Sequence, residues 1–334
     1  MCGKDAVTGQ SFAHRRQWIE DKLLELATVF AIDLCAYSVM HNHYHVVLFI
    51  DKSTADNWEA LEVVERWHLL FSGTLYSQRF IQGELLTAAE QANLGRSIAL
   101  WRERLMDISW FMRIINEGIA RMANREDDCT GRFWEGRFSS QALLDEKALA
   151  ACSAYVDLNP IRAGIANSLI DSNHTSIKRR CEQAAKAEQP NDLRQQAEGL
   201  HAFAGNRRRD MPNGLSFRLT DYLELVDWTG RILRDDKRGA IPESKPKTLK
   251  QLNIDPKQGC YLIQNFESQF KSLVDTSYHI KQACNQLGKQ WVDGIRACEK
   301  FFLPNRTDIK QKFNNSTAKQ LADKFICSRF GQKE

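Results

Sequence analysis

The chain has 334 residues, 43% of them hydrophobic and 10% aromatic, with a formal net charge of +4 at pH 7. That length holds two domains with separate cores, and that apolar content excludes a largely disordered chain. The mild positive charge permits a local nucleic-acid-binding patch without requiring one, and solubility alone asks for as much.

In chain order, residues 13–30 read as a helix, with Trp18, Ile19, Leu23, Leu26 and Ala27 at helical spacing. Residues 32–40 and 43–50 read as two strands of a hairpin, the second opening on histidines and ending in an apolar run covered on both faces. Residues 56–71 read as a helix, and residues 98–123 as a longer one broken near Asp107. Their aromatic stripe, including Trp58, Trp67, Trp101 and Trp110, reads as core rather than as a base-stacking platform. A short strand follows at 132–138, then a helix at 145–159. This order predicts an α+β fold with an antiparallel sheet.

Beyond Arg162 the character shifts to charged stretches, including Lys178-Arg179-Arg180 and Arg207-Arg208-Arg209. Both runs read equally as holds for flanking DNA and as solvated ends. Residues 220–233 form an amphipathic stretch, and residues 234–247 a basic linker. Residues 248–302 predict an all-α region with Leu249, Leu252, Tyr261, Leu262, Phe266, Phe270 and Leu273 in its core. The tail beyond Pro304 is polar, and its end reads as loosely held. Nine cysteines without a CxxC pair read as free thiols in a reducing cytoplasm. The first residues lack a secretory apolar segment, and no apolar run approaches a membrane span.

Two stretches carry chemistry. His43 and His45 lie two apart in a strand, so both project from one sheet face. Such a pair either grips a divalent metal or sits on a solvated face. In the 145–159 helix, Asp145 is a candidate N-cap and Pro160 ends the helix near Asn159. Tyr155 and Asn159, four apart, share a face. Spacing alone makes Tyr155 a core tyrosine packed with Cys152 and Val156, and Asn159 a helix terminator.

These stretches resemble a known family. His43-Tyr44-His45 looks like the HUH motif (His, bulky hydrophobic, His) of single-strand nucleases. Tyr155-Val156-Asp157-Leu158-Asn159-Pro160-Ile161-Arg162-Ala163 resembles the nucleophile helix of the single-tyrosine, IS200-like HUH transposases. The best match is the branch called REP-associated tyrosine transposases. That branch also carries a segment like Gly131-Arg132-Phe133-Trp134-Glu135-Gly136-Arg137-Phe138 before the tyrosine helix. Each motif alone is weak; three in this order, across about half the chain, are specific.

The resemblance implies a ferredoxin-like antiparallel sheet with helices (the HUH nuclease fold) over residues 1–180. A charged linker with helices (181–247) and a helical accessory region (248–334) follow. It implies that His43, His45 and Asn159 hold Mg²⁺ or Mn²⁺, and that Tyr155 attacks a DNA phosphate to form a covalent phosphotyrosine. The partner is single-stranded or hairpin DNA, with no membrane involved; monomer and homodimer both remain open. Arg132, Arg137 and Arg162 are candidate phosphate contacts, and Trp134 a candidate base-stacking residue. The family pattern places a further strand ahead of the segment matching Met1-Cys2-Gly3, inside the catalytic sheet. Without it, the resemblance predicts unpaired sheet backbone beside the metal site. Two other readings follow: a hairpin-binding protein that has lost cleavage, and a metal-dependent hydrolase that uses water.

Overall fold

The computed structural model describes residues 1–4, 9–144, 146–205, 214–233, 246–251, 254–270, 273–274, 280, 298 and 325–331. In chain order the elements are α1 (Arg15–Val29), β1 (Ile32–Val39), β2 (His43–Ile50), α2 (Lys52–Asn57), α3 (Ala60–His68), α4 (Leu75–Ile81), α5 (Ala88–Arg104) and α6 (Ile108–Glu126). Then come β3 (Ser139–Leu143), α7 (Glu146–Asp157), α8 (Asn159–Arg162), α9 (Ser176–Lys186), α10 (Leu219–Leu233), α11 (Lys247–Gln251), α12 (Pro256–Gln269), β4 (Leu273–Val274) and β5 (Phe325–Gly331). The described chain is therefore α+β. It divides into one unit of residues 1–16, 34–49 and 135–334, and a second of residues 17–33 and 50–134.

The second unit is helical. The predicted helix at 56–71 is two, α2 and α3, because Trp58 turns to extended backbone (φ −62°, ψ 134°) between them. The predicted break near Asp107 separates α5 from α6, and the Asp107 carboxylate caps α6 by accepting from the Trp110 N–H at 3.1 Å. Trp67 stacks on Trp101 with ring centroids 5.2 Å apart, so the aromatic stripe serves the core.

The first unit holds the five-stranded sheet, in the order β1-β2-β5-β3-β4. Residues 40–42 join β1 to β2, and so short a link allows only antiparallel pairing. Strand β5 runs antiparallel to both β2 and β3, whereas β3 and β4 pair parallel. The sheet is thus mixed, not wholly antiparallel as predicted. β4 and β5 come from the region where the sequence pattern suggested helices and a loose tail. The run Phe325-Ile326-Cys327-Ser328-Arg329 is β-prone, and between two partners its backbone groups are paired on both edges. The predicted unpaired backbone beside the histidines is absent here: β2 pairs with β5 from His43 to Phe49.

Alternation sorts β2 as predicted. Tyr44, Val46 and Leu48 on one face, and Val47 and Phe49 on the other, are all buried. Val47 and Phe49 join a core with Leu149, Cys152, Tyr155 and Val156 of α7 and with Leu262, Phe266 and Phe270 of the α12 region. Leu249 and Leu273 belong to the same core, while Tyr261, predicted to be buried, is exposed. The predicted strand at 132–138 is not formed; β3 begins at Ser139. Asp145, Arg207-Arg208-Arg209, Leu252 and most of the predicted 275–302 helices lie outside the described residues. Among the described residues no helix is long and apolar enough to cross a membrane, and the described cysteines are free.

Helix α7 is fixed by one buried carboxylate. Asp157 is fully buried and accepts from Ser176 Oγ, from the Ile177 N–H at 3.1 Å and from Tyr222 Oη at 2.6 Å. It thereby ties α7 to α9 and α10. Burial raises its pKa from 3.8 to about 6, against the hydrogen bonds and the Arg180 charge that lower it. The folded chain therefore holds a proton between those pH values that the unfolded chain has released. Stability from this group falls as pH rises through that window.

Two outcomes follow in urea unfolding. Asp157→Ala strands the three donors and should cost about 3 kcal/mol or more, with a larger loss at pH 4 than at pH 7. Cys327→Pro, in the middle of β5 opposite Val47 and Gln141, removes a ladder donor from an interior strand and should cost about 3 kcal/mol. An unchanged midpoint would place β5 outside the sheet.

Candidate metal and nucleophile site

The site grows from the face of β2 that Val47 and Phe49 continue. His43 and His45 stand at the opening end of that face, with ring centroids 4.9 Å apart. Met40 N donates to His43 O at 2.8 Å, which closes the hairpin directly before them. The Asn42 side-chain oxygen lies 2.7 Å from His43 Nδ1. With the proton on Nδ1, that contact leaves Nε2 a free lone pair. His43 Nε2 faces the Asn159 amide at 3.3 Å, across 116 residues of sequence. His45 Nε2 is buried without a hydrogen-bond partner. Burial lowers His43 to about 4, helped by Arg329. Burial and the neighbouring His43 lower His45 to about 3. Both rings are therefore neutral at pH 7 and able to donate lone pairs.

Asn159 arrives by a helix restart. α7 ends at Asp157, two residues earlier than Pro160 alone predicts, and Leu158 leads into α8 with Pro160 in its first turn. The Asn159 amide nitrogen faces His43, and a flip of the amide presents oxygen instead. A buried orphan imidazole nitrogen, a second imidazole and an amide oxygen form a donor set that fits a divalent cation. Among the described residues no group of three His, Cys, Asp or Glu side chains gathers to hold a metal.

Tyr155 lies on the same face. Its ring sits edge-on to His45 with centroids 5.7 Å apart, and it is 5% exposed. The Arg162 guanidinium covers the ring at 4.0 Å. The phenol donates to Glu267 Oε2 at 2.6 Å, and Arg329 donates to Glu267 Oε1. Burial raises the Tyr155 pKa, and the hydrogen bond to Glu267 adds to it, against the Arg162 charge. Burial tends to raise Glu267, but the Tyr155 hydrogen bond and Arg329 together hold its carboxyl below the usual range. Tyr155 and Glu267 line two adjoining hollows of about 260 Å³ and 370 Å³. The first also takes in His45, Ser139, Phe266 and Arg329, and the second Arg162 and Gln264.

The structure thus brings together His43, His45, Tyr155, Asn159 and Arg162. Trp134 is buried in the helical unit, where its indole N–H donates to Asn116 O at 2.8 Å, so it is no open stacking platform. Arg132 lies in that unit too and donates to Trp134 O at 2.8 Å, while Arg137 is exposed in the sheet unit. Arg180, one of the basic run, is buried and donates to the carbonyls of Cys35 and His201 at 2.9 and 3.0 Å. It is a strut rather than a DNA contact. His41 is exposed. Asn42, Glu267 and Arg329 were missed by sequence reasoning. Only the β-prone run around Arg329 offered a signal.

No protein-family model, no curated protein and no solved structure matches this chain.

Because both imidazoles stay neutral well below pH 6.5, Mn²⁺ binding followed by water-proton relaxation should hold from pH 7 down to about 5 and fail near 4. His43→Ala and His45→Ala should each weaken it by about tenfold or more. Loss of binding centred at pH 6.5 would mean exposed, unpaired imidazoles.

Proposed function

We propose that the chain is a metal-dependent single-tyrosine HUH transposase of the REP-associated type, which cuts and rejoins single-stranded DNA beside hairpin-forming repeats. The observation that carries this reading is the meeting of Tyr155 with His43, His45 and Asn159 on one sheet face, from segments more than a hundred residues apart. These are the residues the resemblance selects as nucleophile and ligands.

When bound, Mg²⁺ or Mn²⁺ polarises the scissile phosphate and steadies charge on the leaving oxygen. His43 and His45 supply imidazole nitrogens for it, and Asn159 an amide oxygen. Tyr155 supplies the attacking oxygen, and its backbone is held by a helix whose next residues are buried. Arg162, stacked on the tyrosine ring, offers a planar fork to the incoming phosphate. The product is a 5′-phosphotyrosine and a free 3′-hydroxyl, which reverses the attack on another end. Bond energy is kept in the enzyme-DNA link, so no high-energy cofactor is needed.

The test is incubation with labelled hairpin oligonucleotides and Mg²⁺ or Mn²⁺ on a denaturing gel. The expected result is a protein-linked DNA band that falls about a thousandfold or more in Tyr155→Phe and vanishes with chelator. Cleavage without a linked band, surviving Tyr155→Phe, would mean attack by water. Hairpin binding with no cleavage would leave a DNA-binding protein.

A further inference from the structure

We infer that Glu267 is a catalytic residue, the base that takes the phenolic proton of Tyr155 as the tyrosine attacks phosphorus, with Arg329 as its positioning residue. The inference rests on the strand-transfer reading above and names a group which that reading does not supply.

A tyrosine that must attack a phosphodiester starts as a weak nucleophile, since its oxygen carries a proton. A base within direct hydrogen-bond reach of that oxygen removes the difficulty. Among the described residues, the Tyr155 hydroxyl has one such neighbour at close range, Glu267 Oε2 at 2.6 Å. The contact joins α7 to α12 across 112 residues, and α12 packs against α7 through Phe266, adjacent to Glu267 in sequence, whose ring centroid lies 6.1 Å from that of Tyr155. The carboxylate is held from its other side. Arg329 donates to Oε1, and Arg329 stands on β5 directly across from His45 on β2 and Ser139 on β3. One oxygen is thus committed to the arginine and the other to the phenol, an orientation that aims Oε2 at the nucleophile.

One feature sets this carboxylate apart from a simple surface pair. It lines both hollows that flank Tyr155, so it faces the space a phosphate must enter. An ion pair between side chains 40% and 37% exposed adds little to stability. Its worth lies in geometry.

The step balances. The Tyr155 proton passes to Glu267 Oε2 as the Oη–P bond forms, and the P–O3′ bond breaks with its electron pair leaving on O3′. That oxygen takes one proton from solvent and departs as a hydroxyl, while Glu267 returns its proton to solvent. A carboxylate is a far weaker base than a phenolate. The transfer is therefore completed only as the phosphorus bond forms and the phenol grows acidic, which is general-base catalysis rather than prior ionisation.

The experiment is single-turnover formation of the protein-DNA adduct, with labelled hairpin oligonucleotide and Mn²⁺. Full-length unaltered chain is compared with Glu267→Gln, Glu267→Asp and Glu267→Ala, with hairpin affinity and circular dichroism measured alongside. Glu267→Gln and Glu267→Ala should form adduct about 10²- to 10⁴-fold more slowly, with hairpin affinity retained. Glu267→Asp should fall between. Added formate should enter the space left in Glu267→Ala and raise its rate roughly tenfold, with no effect on Tyr155→Phe. Adduct formation in Glu267→Gln as fast as in the unaltered chain, or faster, would show that the carboxylate merely shields the phenol. A slow Glu267→Ala that binds hairpin but ignores formate would also overturn the assignment. No adduct from the unaltered chain would overturn the strand-transfer reading, and this inference with it; the control separates that failure from the others.

Discussion

The site depends on where Asp157 is held. Its carboxylate is buried among three donors from α9 and α10, two residues after Tyr155 and two before Asn159. An ionisable group in so dry a place must keep its partners, since the loss of any one leaves another polar group stranded. The penalty for movement thus fixes the end of α7 in position and roll. Tyr155 points back along that helix toward His45, and the restart at Asn159 brings its amide to His43. Tyr155 and Asn159 share one anchor, so a shift in one is a shift in both.

The sheet supplies the other fixed frame. The face of β2 that carries His43 and His45 continues into Val47 and Phe49, and burial of those residues under α7 sets which way the imidazoles project. A slip of one residue would send both histidines to the opposite face. β5 locks the register along β2 from His43 to Phe49 and along β3 from Ser139 to Ala142. The same strand delivers Arg329 beside His45. The last described residues of the chain therefore complete both the hydrogen-bonding of the sheet and the charge pattern around the tyrosine.

Much of this was legible in the sequence, for local reasons. The hairpin, α1, the break at Asp107 and the tyrosine helix follow from periodicity, capping and proline chemistry, which act over a few residues. The two-apart histidines and the four-apart Tyr155 and Asn159 required only strand and helix geometry to share faces. What was not legible depends on distant chain. Glu267 meets Tyr155 across 112 residues with no periodic mark of its role. β5 lies in a polar tail, where a single β-prone run was outweighed by its surroundings. Trp134 and Arg180 looked available because their residue types suit nucleic acids. Each is instead buried, with the Trp134 indole N–H and Arg180 Nη2 turned to backbone carbonyls, a fate that depends on tertiary packing.

On the strand-transfer reading, the charges around the tyrosine bear on both cutting and rejoining. Arg162 and Arg329 stand on either side of Tyr155 and Glu267, and the two histidines are neutral, so the described neighbours of the phenol carry two positive charges against one negative. On the strand-transfer reading, a phosphodiester entering the flanking hollows meets that positive excess. Its own negative charge competes with Glu267 for Arg329. Every contact the carboxylate yields to the phosphate leaves it less stabilised as an anion, and hence a stronger base, at the moment the phenol must lose its proton. In the reverse direction the departing phenolate oxygen regains a proton from the same carboxylate, as microscopic reversibility requires. On that reading, substrate binding and proton transfer are coupled through the Arg329 guanidinium that holds Glu267.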